Sequence, residues 1–216
     1  RLGDSEITQE VRLGARSRRL DFRTFVRWRE RHRLLRVAFA VAVRAAEASF
    51  EIQYGFLRRP THRNTRWDVA RFESVAHRFV DLSADGYGVA LLNDAKYGHK
   101  VHGQTLDLAL LRSPTNPDAD CDQGDHRFTY SLLPHPGGLE DSEVFAEAAA
   151  LNRPPLLFDG LAGGGRRYPV QLEGKGLSLA VLKKAEGEPS RILRVVETQG
   201  RTSRGRLFLD PAAGTL

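Results

Sequence analysis

Apolar residues recur at every second position along most of the first 135 residues. Leu20, Phe22, Thr24, Val26 and Trp28 fall on one side of an extended segment, with Asp21, Arg23 and Arg27 on the other. Leu35, Val37, Phe39, Val41 and Val43 repeat the pattern, as do Phe50, Ile52 and Tyr54. So do Val75, His77 and Phe79; Tyr87, Val89 and Leu91; Leu106, Leu108 and Leu110; and Phe128, Tyr130 and Leu132. Side chains of a strand point alternately to its two faces, so each run predicts a strand with one face buried and one wet. Many short strands separated by Gly, Pro and Asp turns predict an all-β, antiparallel sandwich.

One helix interrupts the strands. Asp141 or Ser142 is placed to cap a segment from Glu143 to Leu151, rich in alanine, which Asn152 and the Pro154-Pro155 pair would stop. The glycines between Gly160 and Gly165 read as a connector. They lack the strand before and the Lys-Ser/Thr after that a phosphate loop requires. Val170-Leu172, Leu177–Val181, Ile192–Val196 and Leu207–Leu209 then form a small second β-unit. The expected domains are residues 1–159 and 160–216.

Composition adds a few bounds. The single cysteine, Cys121, excludes an internal disulfide framework and fits a reducing compartment. No apolar run approaches the roughly 20 residues needed to cross a bilayer. With no methionine, even at position 1, the sequence reads as a portion of a longer polypeptide. The net charge of +6 raises nucleic acid as a partner. The arginines between Arg12 and Arg44 fall largely at alternate positions, however, as on a solvated or covered sheet face. No nucleic-acid-binding motif accompanies them, so neither nucleic acid nor membrane is expected as a partner.

Three constellations invite a catalytic reading. Asp118, Asp120, Asp122 and Asp125 resemble a calcium loop, but the sixth and twelfth positions of an EF-hand are Gln123 and Thr129 here. An acidic hairpin turn is expected instead. His99 and His102, three apart on an extended segment, would face opposite sides of a sheet, and no local pattern completes a zinc site with them or with His62, His77 or His126. Asp68, Asp81, Asp85 and Asp94 could supply the paired carboxylates of glycoside hydrolysis, yet spacing along the sequence does not show any two of them converging.

Two stretches are more specific. These are Arg59-Pro60-Thr61-His62-Arg63-Asn64-Thr65 and the run Gly86-Tyr87-Gly88-Val89-Ala90-Leu91-Leu92-Asn93-Asp94. Glu30 to Phe39, Leu108 to Pro114 and Phe128 to His135 supply three more. In this order, within a likeness that extends from about Ile7 to Leu209, they resemble the C-terminal β-region of family-38 glycoside hydrolases, the class II α-mannosidases, in their cytosolic and bacterial branch.

The resemblance implies a galactose-mutarotase-like supersandwich with part of a smaller β-unit, in a cytoplasmic enzyme acting on mannose-containing glycans. It implies a retaining reaction with an aspartate nucleophile, a second carboxyl as acid/base, and Zn2+ held by His and Asp. Those motifs lie in the N-terminal region of the family and none is matched here, so no catalytic residue and no metal ligand is assigned. The N-terminal catalytic domain of the same polypeptide is the implied partner, and oligomers are compatible with it. Support of a sugar-site rim is what transfers. Arg112, before Ser113-Pro114, aligns with a family arginine, and its planar fork suits sugar hydroxyls. Asn93, Asp94 and Tyr97 offer polar groups and an aromatic face at a strand end, where a rigid sheet can project a binding loop. An autonomous carbohydrate-binding module is the rival, with Trp28, Trp67, Tyr87 and Tyr97 as its aromatic candidates.

Overall fold

The alternating runs become the inner faces of two antiparallel sheets. The computed structural model describes residues 3–156, 159–160 and 169–210. The larger sheet has seven strands in the order β1 (Glu6–Leu13), β2 (Leu20–Trp28), β11 (Gly124–Pro136), β8 (Tyr87–Asn93), β7 (Phe79–Ala84), β4 (Glu47–Ile52) and β5 (Gly55–Pro60). The smaller has four: β3 (Leu35–Ala40), β10 (Thr105–Leu111), β9 (Gly98–His102) and β6 (Ser74–Val75). Val26 and Trp28 of β2, Val80 and Leu82 of β7, Val89 and Leu91 of β8, Leu106 and Leu108 of β10, and Phe128 and Tyr130 of β11 meet in one core. Each pair is two residues apart, so the period seen in sequence is the period that fills the core.

The outer face of the larger sheet is partly covered too. Helix α2 (Val144–Asn152) buries Val144 and Ala148, and Phe145 meets Phe79 edge to face, with ring centroids 5.1 Å apart. This cover explains why Phe79, Leu92 and Leu133, which alternate with the inner residues, are also buried apolar side chains. The expected helix start is displaced by one residue: Ser142 Oγ accepts from the Val144 amide at 3.3 Å, outside the first turn.

Some expectations need correction. Val75, His77 and Phe79 do not form one strand; β6 belongs to the smaller sheet and β7 to the larger. The chain changes sheets between them, where the His77 amide donates to the Glu51 carbonyl (3.1 Å) and the Arg78 amide to the Glu51 carboxylate (2.7 Å). Tyr54 sits in a turn at φ 62°, exposed rather than inward. The polar connection after Pro60 contains a short helix, α1 (Arg66–Ala70). A reciprocal cap fixes its start: the Asp68 amide donates to Thr65 Oγ1 (3.1 Å) and the Thr65 amide to Asp68 Oδ2 (3.0 Å). No residue of α1 is buried, so no apolar periodicity announces it.

The described residues fall into two compact units, one of residues up to 52 and 57–154, the other of residues 53–56 and those from 155 on. The second contains two two-stranded antiparallel sheets: β12 (Val170–Glu173) with β15 (Arg206–Leu209), and β13 (Leu177–Lys184) with β14 (Arg191–Glu197). The glycine connector expected at 160–165 lies largely outside the described residues. Among the described residues no helix is long and apolar enough to cross a membrane.

Candidate functional site

The end of β8 carries Asn93, one of the four residues singled out in the sequence. Its side chain is turned inward, leaving the residue 1% exposed. The carboxamide Nδ2 donates to the His77 carbonyl at 2.9 Å and lies 3.3 Å from His99 Nε2, while Oδ1 accepts from the Lys96 amide at 2.6 Å. The Asn93 carbonyl accepts from Asn152 Nδ2 at 2.9 Å, tying the end of α2 to the strand. Asn93 thus bonds the larger sheet to β9 of the smaller and holds the 94–97 loop. Burial, joined by the charge of Arg36, drives the pKa of His99 down to about 3, so its ring is neutral and can accept from Asn93.

Asp94 is differently placed. Its Oδ2 accepts from the Thr129 amide (2.9 Å) and its own amide donates to the Thr129 carbonyl (3.1 Å). The other carboxylate oxygen, Oδ1, is shielded from solvent and has no hydrogen-bond partner. Burial pushes this carboxyl above the ordinary aspartate range, against the hydrogen bonds from Thr129 and the nearby Lys96 charge. Burial likewise lowers the Lys96 ammonium, against Asp122 and Asp94, and its Nζ rests 4.7 Å from the centre of the Phe128 ring. Tyr97 is exposed, its ring edge-on to His77 at 6.0 Å between centroids.

Asn93, Asp94 and Tyr97 line one cleft of about 280 Å³ with His77, Arg78 and Asn152. Asp94 also borders a wider groove of about 730 Å³ over the outer faces of β2 and β11, with Arg19, Asp21, Arg23, Phe25 and Arg127. Arg112 joins neither. It follows β10 with an exposed side chain, and its amide, like that of Ser113, donates to Asp122 Oδ2 (2.8 and 3.2 Å). The structure therefore brings three of the four residues together and leaves the arginine on another loop. Sequence reasoning weighs His77 only as a strand residue and a zinc candidate, and does not place it, Arg78 or Asn152 at this site, because they come from the β6–β7 crossing and the end of α2; Asn152 reads only as a helix stop.

The other candidate groups are occupied locally. Asp122 caps the amides of Arg112 and Ser113, the Asp120 carboxylate pairs with Arg31 at 2.5 Å, and Asp118 Oδ1 accepts from the Asp120 amide at 2.9 Å. The acidic segment is thus a loop built on its own carboxylates. Asp68 caps α1 and Asp81 pairs with His135 inside the larger sheet, while Asp94 faces the cleft. Among the described residues no three of His, Cys, Asp or Glu cluster so as to hold a metal ion.

The model of the glycosyl hydrolases family 38 C-terminal domain matches residues 1–120, the stretch that carries His77, Arg78, Asn93, Asp94, Tyr97 and Arg112. The chain belongs to glycosyl hydrolase family 38. Within this family it is 44% identical over 202 residues to human alpha-mannosidase 2C1, covering 91% of this chain and 19% of that protein. It is 41% identical over 204 residues to alpha-mannosidase G of Dictyostelium discoideum, covering 92% and 19%. The chain thus spans about a fifth of the length of these curated relatives. The fold is also that of an alpha-mannosidase crystal structure from Enterococcus faecalis V583, with a TM-score of 0.84 at 19% identity over 95% of this chain and 25% of that one.

Proposed function

We propose that this chain is the non-catalytic β-region of a cytoplasmic, zinc-dependent, retaining α-mannosidase that removes terminal α-mannosyl residues from glycans. In this reading it supports the N-terminal catalytic domain of the same polypeptide and borders the sugar site with the 94–97 loop. The residues described here do not fit a zinc centre, so no step involving zinc is assigned to them. They position and bind. Asp94 offers an acceptor to a sugar hydroxyl, Tyr97 an apolar face beside it, and Asn93 fixes the loop from behind. Arg112 would serve from the neighbouring loop, through N–H donors held out from a backbone pinned to Asp122.

The observation that carries the site reading is the single cleft that gathers Asn93, Asp94 and the exposed ring of Tyr97 at the end of β8. A partly buried carboxylate and an aromatic face in one concave site suit the hydroxyls and the apolar face of a sugar. The test is Asp94→Asn in the longer polypeptide carrying this stretch, assayed with a chromogenic α-mannoside. The amide keeps an oxygen for the Thr129 amide but presents a donor to the cleft. A fall in kcat/KM of about tenfold or more, equivalent to ~1.4 kcal/mol, supports the reading; unchanged kinetics overturn it. Arg112→Ala should raise KM in the same assay. The 216-residue chain by itself should not turn over the substrate, with or without added zinc.

Exposed Trp67, Tyr87 and Tyr97 keep a carbohydrate-binding module as a second reading, although Trp28 is buried in the core. Calorimetric binding of mannosides by the isolated chain would favour the module.

A further inference from the structure

Strand β1 has every residue exposed, although half of them face the core side of the larger sheet. The register pairs Ile7 with Val26, Gln9 with Thr24, Val11 with Phe22 and Leu13 with Leu20. Residues directly opposite in a ladder share a face, so Ile7, Gln9, Val11 and Leu13 line the same side as core residues. Yet Ile7 is 37%, Val11 55% and Leu13 65% exposed. The polar member of the row has turned inward: Gln9 Nε2 donates to Thr24 Oγ1 (3.0 Å) and to the Tyr130 hydroxyl (2.6 Å). What remains facing outward is an apolar row.

The smaller sheet explains the exposure. Its last strand on this side is β3, whose Phe39 packs against Phe22 of β2 and Tyr130 of β11 at 5.4 and 6.1 Å between centroids. β3 therefore lies over β2 and β11. It pairs only with β10, which leaves its other backbone edge open among the described residues. An open edge and a bare apolar row sit side by side, and natural sheets rarely leave either uncovered. A single further strand would satisfy both, hydrogen-bonding to β3 and laying alternate side chains on Ile7, Val11 and Leu13.

We infer that a β-strand from another part of the same polypeptide docks on the open edge of β3 and completes the smaller sheet over β1. The chain spans about a fifth of its relatives' length, so a family-length polypeptide has ample chain to supply it. The strand's chemistry follows from the slot: about six residues to match β3, with apolar side chains at alternate positions toward β1. The inference rests on the reading of this chain as part of a longer α-mannosidase.

The test uses that longer polypeptide. Hydrogen exchange of the Leu35–Ala40 amides should be slowed by about a hundredfold or more relative to loop amides on both the β10 side and the open side, independently of protein concentration. Val11→Asp should lower the Tm by about 5 °C or more, while Thr8→Asp, on the opposite face of β1, leaves it nearly unchanged. Rapid exchange of the open-edge amides, or equal effects of the two substitutions, would overturn the inference. So would protection that appears only as concentration rises, since the occupant would then be a second copy. Hydrolysis of the α-mannoside is scored separately: an inactive polypeptide with protected β3 amides sinks the functional reading alone, and an active one with unprotected amides sinks the strand.

Discussion

His135 Nε2 lies 2.8 Å from Asp81 Oδ1, and both side chains are sealed beneath the outer surface of the larger sheet. Ser83 Oγ donates to the other oxygen of Asp81, so three neighbouring strand positions form one polar island among apolar neighbours. Burial by itself would lower the histidine pKa, but the hydrogen bond and charge of Asp81 outweigh it and raise the value above the ordinary one. A raised folded-state pKa contributes stability that is complete below the unfolded value of about 6.5 and is lost as pH rises through the folded value. The unfolding free energy of the native chain minus that of His135→Gln should therefore shrink as the pH is raised from about 6 to about 9. Denaturant titrations across that range check it, and a difference that grows with pH would contradict it. His135→Ala should cost about 3 kcal/mol near neutrality, because it strands a buried carboxylate.

Gly88 is the reason these groups fit. A Cβ there would run into both the His135 ring and Ser83 Oγ, which are locked against each other through Asp81. Gly88→Ala should destabilise by about 2 kcal/mol, as overpacking does in a filled core. A thermal melt of the variant that matches the native chain would show that the island can yield.

Asn93→Ala should be more damaging than its loop-end position indicates. It removes the partners of the His77 carbonyl and the Lys96 amide and leaves His99 Nε2 without a donor. A loss of about 2–4 kcal/mol in denaturant unfolding is expected. Faster exchange should follow in both β8 and β9, because the side chain bridges the two sheets.

Asp94 should behave in the opposite sense. Its carboxyl is raised by burial, so the folded state holds its proton more tightly than the unfolded state does. The sign is then a stability lost as pH rises above the ordinary aspartate value. Asp94→Asn should be neutral or slightly stabilising at pH ~7 and should remove that part of the pH dependence. A variant that is more stable but less active in the longer polypeptide would separate function from folding at this residue. Strong destabilisation would show instead that Asp94 is structural.

Much of the fold was legible. The alternation through Phe22, Val26, Leu91, Leu108 and Tyr130 predicts both strands and inward faces, because a side chain two positions along a strand returns to the same face. The helix over Val144–Asn152 was legible from its alanines and the prolines beyond it. α1 was not, since five residues, none of them buried and held by a Thr65–Asp68 cap, leave no apolar period. Nor was the change of sheet between Val75 and Phe79, where correct parity hides a crossing pinned by Glu51 and Arg78. The candidate site was half legible. The Asn93–Tyr97 run stands out as a strand end, but nothing in sequence says that Asn93 turns in while Asp94 keeps an oxygen free.

By itself the sequence determined an all-β chain, the residues that fill its core and, through its ordered motifs, its family, because strand periodicity and local turn chemistry act over a few residues. Only the tertiary structure decided that His77, Arg78 and Asn152 join Asp94 around one cleft, that His135 and Asp81 share a proton-sensitive bond, and that β1 lies bare beside an open edge. Those relationships depend on which strands become neighbours. Pairing of that kind is set by burial summed over the whole domain, which no local pattern records.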